Sequence, residues 1–188
     1  MNSKDRLLAS SLVFAPLIYL LADCLYAARG WADPTAGVIQ VLGSVAYQFV
    51  ILWVVGRVDG IVATTLLVVG ALGVAGNVAY GFDTIHVSLG DTALVDAPGA
   101  ANLIKPLGLC FPLALLMCAV ALRRLAPLWT TAAIAVAALV FPVAHIADIK
   151  WLAVLDNVVL VAGFVAVAML KTLTPAPRVS HPAPEAAS

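Results

Sequence analysis

The run LLASSLVFAPLIYLLADCLYAA, residues 7–28, decides the fold. It carries one charge, Asp23, in a stretch long enough to cross a bilayer, which takes about 20 mostly apolar residues. Lys4 and Arg6 before it give the chain the basic start of a secretory signal, and LADC is similar to a lipoprotein cleavage box. Such a box needs a small residue before the cysteine, where this chain has Asp23. The run is also longer than a signal-peptide core. It reads as a retained first transmembrane helix.

The rest of the chain agrees. Of its residues 63% are hydrophobic and 11% charged, and the mean hydropathy is +1.07. A soluble domain is about a quarter charged. The expectation is an all-α, polytopic bundle of six helices, at roughly 7–28, 37–56, 61–82, 102–122, 130–148 and 152–170. Connections are short except an outer loop at 83–101, which holds Asp83, His86, Asp91, Asp96 and Pro98. Residues 1–171 form the transmembrane domain. The Pro-, Ala- and Ser-rich tail at 172–188 is expected to be disordered and cytoplasmic.

Orientation follows from basic residues. With the N-terminus inside, Lys4, Arg6, Arg57, Arg123, Arg124, Lys171 and Arg178 lie inside, against Arg29, Lys105 and Lys150 outside. Both termini are therefore expected in the cytoplasm. Trp31, Trp53, Trp129 and Trp151 fall near span ends, where interfacial anchors belong. Pro16, Pro112 and Pro142 lie within spans and each removes a backbone donor. Gly70, Gly73 and Gly76 in the third span suit close helix approach.

The strongly polar residues gather toward the outer side. Tyr19, Asp23 and Tyr26 are spaced i, i+4, i+7 and share a helix face. Gln40, Ser44 and Gln48 suggest a stripe on the second span, with Tyr47 beside it. Asn77 and Tyr80 are i, i+3 on the third. Lys105 begins the fourth. His145 and Asp148 close the fifth at i, i+3, and Asp156 and Asn157 open the sixth. Ionisable groups within spans face a bundle interior or a water-filled cavity. One outward-facing polar pocket is therefore expected. The candidates for ligand binding or proton relay are Tyr19, Asp23, Tyr26, Gln48, Asn77, Tyr80, Lys105, His145, Asp148 and Asp156. The expected ion pairs are Lys105 with Asp23, Asp148 or Asp156, and His145 with Asp148 or a nearby carboxylate.

Three functions fit this pattern. The preferred one is small-molecule or proton binding, for transport or sensing. The second is a non-catalytic membrane subunit or assembly factor, whose polar residues hold helices in register. The third is a membrane-embedded enzyme using His145 with a carboxylate. It lacks a supporting motif, since no HExxH, GxSxG or histidine box occurs. Cys24, Cys110 and Cys118 form no CxxC or Cys/His cluster, and His86 with His145 makes a poor haem pair, so no metal or cofactor is expected. The lipid bilayer is the certain partner, with a homo-oligomer or a membrane partner subunit left open. Zero net charge gives no reason to expect nucleic acid. The Ala- and Val-rich, Lys-poor texture resembles that of small bacterial membrane proteins and points to a plasma (inner) membrane.

Overall fold

The computed structural model describes residues 2–173, with side chains to 170. Within them six helices form: α1 (Ser3–Arg29), α2 (Pro34–Val55), α3 (Gly60–Ser88), α4 (Ile104–Leu122), α5 (Leu128–Ile146) and α6 (Lys150–Leu173). All six contain a segment long and apolar enough to cross a membrane. The protein is thus a multi-pass membrane protein built as a six-helix bundle. The tail expected to be disordered lies, apart from its first two residues, outside the described residues.

Each helix packs against its two sequence neighbours, and α6 returns to α1, so the six close into a ring. The α4–α5 seam is the sparsest of the six joints. Local signals set the ends. The Asn2 carboxamide accepts from the Asp5 amide at 2.8 Å, and Asp33 accepts from the Ala36 amide at 2.8 Å ahead of Pro34. Gly30, at φ 105°, ends α1 where a side chain would be strained.

Glycine sets how closely α3 approaches α4. A Cβ on Gly73 would overlap the backbone at Cys110–Phe111, and one on Gly76 the backbone at Leu107–Gly108. In lipid there is little hydrophobic drive between helices, so such close packing is what holds them. Inside the ring, aromatic side chains interlock. Tyr19 stacks on Phe111 at 5.6 Å between centroids, and Tyr47 meets Phe111 edge-on at 5.1 Å and Phe164 at 6.1 Å. These rings, with Leu12, Leu115 and Leu160, plug the ring's interior.

Three details depart from the sequence reading. First, α3 runs on to Ser88, so the long connection begins at Leu89 rather than at 83. Nothing in residues 83–88 breaks a helix; the first break is Gly90, at φ 94°. Asp83 and His86 therefore belong to a helix. Second, α5 ends at Ile146, and Asp148 lies beyond it in a left-handed turn at φ 55°. His145 and Asp148 do not share a helix face. Third, Trp53 is no interfacial anchor. It is buried in the core, with the Arg57 guanidinium 3.4 Å above its ring. Trp129 and Trp151, by contrast, are exposed at helix starts as anchors would be.

Candidate functional site

Buried amides and carboxylates are concentrated toward one end of the ring, the end carrying residues 89–103. They are Asp23, Gln40, Asn77, Asp83, Asp156 and Asn157. Toward the other end the buried polar side chains among the described residues are hydroxyls, Ser11, Thr130 and Thr131.

Asp23 is the hub. It is 1% exposed and faces the interior from α1. The Asn157 amide on α6 donates to its Oδ2 at 2.6 Å. His145 on α5 brings Nε2 to 3.4 Å from Oδ1 and 3.3 Å from Oδ2. The other ring nitrogen, Nδ1, lies 2.9 Å from the Phe141 carbonyl oxygen. A carbonyl only accepts, so Nδ1 carries a hydrogen. Nε2 then faces a carboxylate, which also offers lone pairs. One further proton must lie between Nε2 and Asp23, on either partner, for that contact to be attractive. The pair therefore shares one proton. Lys105 forms none of the expected ion pairs among the described residues, and His145 pairs with Asp23 rather than Asp148.

A second network ties α1 to α2 and α3. The Tyr19 hydroxyl donates to Asn77 Oδ1 at 2.6 Å, and the Tyr26 hydroxyl to Gln40 Oε1 at 2.6 Å. The Gln40 amide reaches the Asn77 carbonyl at 3.4 Å, and Thr84 lies 3.2 Å from the Tyr26 hydroxyl. Tyr19, Asp23 and Tyr26 are all buried on one face of α1.

Between these networks lies a cavity of about 690 Å³, in the range of small-molecule sites. Of the residues singled out from the sequence, Tyr19, Tyr26, Asn77, Tyr80, Lys105, His145 and Asp148 line it. Asp23 sits behind His145, out of the lining. Asp156 is 3% exposed on α6, also behind the wall. Gln48 is half-buried on α2 and outside the lining. The reason is rotational: eight residues turn a helix about 80° past two full turns, whereas seven fall about 20° short. Tyr47, not Gln48, continues the face of Gln40, and it is fully buried.

Sequence reasoning left Asn157, Trp31, Phe141 and Asp83 out of the site. Asn157 had a signal, an amide early in an apolar span. Trp31 and Phe141 had none beyond apolar character. Trp31 packs 5.8 Å from the His145 ring and donates Nε1–H to the Asp148 carbonyl at 3.3 Å; Phe141 stacks on His145 at 4.0 Å. Asp83 accepts from the Leu94 amide at 2.8 Å and the Val95 amide at 3.5 Å, hooking the 89–103 segment over the cavity.

No group of three His, Cys, Asp or Glu among the described residues is placed to hold a metal ion. No family model, curated protein or solved structure matches the chain. Function must therefore be read from the site's own chemistry.

Proposed function

We propose that the protein binds a small molecule in this cavity, from the outer face of a bacterial plasma membrane, and couples binding to the proton held by His145 and Asp23, in transport or sensing. The observation that carries the reading is the cavity with His145 in its wall and a buried carboxylate directly behind it. A ligand touching the imidazole would change the proton's position through one hydrogen bond. The orientation rests on the excess of Lys and Arg at the opposite end of the helices.

The aromatic plug closes the ring beneath the cavity. Transport through a single copy would then require a large rearrangement or a second copy, while sensing requires neither. The subunit reading loses ground, because polar residues serving only as glue leave no need for such a cavity. The catalytic reading gains no support, since both ring nitrogens of His145 are engaged, Nδ1 by the Phe141 carbonyl and Nε2 by Asp23, and neither is left for a substrate. Lys105, Thr84 and Tyr80 in the lining are not among the hydrogen-bond partners of His145, so no nucleophile is paired with a base and binding is preferred.

Cysteine accessibility tests the reading. In a background without Cys24, Cys110 and Cys118, Tyr80→Cys, His145→Cys and Asp148→Cys should react with an impermeant thiol reagent added outside, and Gln48→Cys should not. Protection of all four, or reaction only from the cytoplasmic side, would defeat it.

A further inference from the structure

The cavity wall also constrains the ligand. We propose that it is a lipophilic organic monocation, an amine or onium carrying aromatic or alkyl groups; this rests on the cavity being a binding site. Three observations point to it. The first is charge. Asp83, Asp96 and Asp148 line the cavity against a single Lys105. Counting three negative and one positive charge gives −2, and the His145–Asp23 pair with its shared proton adds none. A cleft with low-dielectric walls and net negative charge concentrates cations.

The second is the aromatic wall. Tyr26 and Trp31 lie 5.1 Å apart, Trp31 and His145 5.8 Å, and Tyr19 and Phe141 5.8 Å. With Tyr80 they make the cavity wall rich in aromatic rings, which bind apolar substituents and attract cations wherever a ring face is free, an arrangement suited to ammonium groups too hindered to be held by hydrogen bonds.

The third is access. The lining includes Leu109 and Pro112 on α4, and Pro142 and Ile146 on α5, the two sides of the sparsest seam. Leu109 is 48% and Ile146 71% exposed on the apolar flank of the bundle. The segment hooked by Asp83 and the Trp31–Asp148 contact cover parts of the cavity's end. The wall is therefore continuous with the lipid-facing surface near the interface, where an amphiphilic cation accumulates. Lys105 at the rim opposes this assignment, so the sign of the preferred charge is the decisive measurement.

Tetraphenylphosphonium and tetraphenylborate have nearly the same shape and opposite charge. Equilibrium dialysis of the purified full chain in micelles, against protein-free micelles, should show the phosphonium binding at least tenfold more tightly. The double variant D96N/D148N should weaken phosphonium binding by about tenfold, and K105Q should strengthen it. Both aspartates are exposed, and asparagine tolerates the left-handed turn at 148, so the double variant should fold. Equal or tighter borate binding would overturn the cation assignment in favour of an anion drawn by Lys105. Binding of neither ion, while external reagent still reaches positions 80 and 148, would overturn it too and leave the cavity reading intact. Loss of that labelling would remove the cavity reading itself.

Discussion

Asp23 and Asn157, 134 positions apart, are joined by a 2.6 Å hydrogen bond in the interior of the ring. The bond ties the first helix to the last, and the same carboxylate holds His145 from a third helix. Asp23→Ala removes the acceptor of the buried Asn157 amide and the partner of His145 Nε2 at once. Leaving such groups unsatisfied costs about 1–3 kcal/mol. Lys150→Ala removes a side chain at the edge of α6 that forms no ion pair among the described residues and should cost almost nothing. Thermal unfolding of the two variants in detergent checks the contrast; equal, negligible shifts would mean that Asp23 does not organise the bundle.

Close approach of α3 to α4 makes a second prediction. Gly76→Ala would drive a methyl into the backbone at Leu107–Gly108, and backbone cannot rotate aside. The expected loss is about 1–3 kcal/mol, as for overpacking elsewhere. Gly56→Ala is the control. There the nearest atom to a new Cβ is 3.5 Å away, an ordinary contact. A melting point for Gly76→Ala as high as the parent's would mean that α3 and α4 sit farther apart.

How much of this could be read in advance depends on which force sets each feature. The six spans were legible because bilayer thickness fixes their length and composition whatever the partners. The shared face of Tyr19, Asp23 and Tyr26 was legible because helical rotation over seven residues is nearly closed. Partner choice was not. Asp23, Asp148 and Asp156 were all plausible by depth, but which carboxylate meets His145 depends on the order of helices around the ring and on where α5 stops. The end of α3 was misplaced because Asp83 and His86 look like loop residues, while Asp83 is satisfied by amides eleven and twelve positions on, a contact no local pattern reveals.

The Tyr19–Asn77 bond spans the ring interior from α1 to α3. Tyr19→Phe leaves Asn77 Oδ1 without its donor and keeps the ring stack on Phe111. A double-mutant cycle with Asn77→Ala should return a coupling of about 0.5–1.7 kcal/mol, the range for hydrogen bonds between membrane helices. Strict additivity of the two changes would show that the two groups do not meet.

Asp83 anchors the segment that overhangs the cavity. In Asp83→Ala the Leu94 and Val95 amides lose their acceptor, and the segment's attachment to α3 weakens. Hydrogen exchange should speed up at Leu94 and Val95 by about tenfold, corresponding to roughly 1.4 kcal/mol, with α2 and α6 unchanged. Unaltered exchange there would mean that other contacts hold the segment down.

Asp156 runs against the usual economy of a membrane interior. It is 3% exposed, and neither carboxylate oxygen has a hydrogen-bond partner among the described residues; the same holds for the Tyr47 hydroxyl and Asn157 Oδ1. A lone ionised carboxylate in apolar surroundings destabilises the fold unless something neutralises it. Asp156→Asn keeps the shape and removes the charge. The variant should therefore be more stable than the parent at a pH where Asp156 is ionised, because the charge is gone while the amide stays as unpaired as the carboxylate was. Asp23→Asn should move the other way, because its carboxylate is already engaged by Asn157 and His145. Opposite shifts from the same chemical change at two acids in one bundle would separate a residue kept for what it binds from one kept for what it holds together. Parallel losses would instead mean that Asp156, like Asp23, is a structural tie.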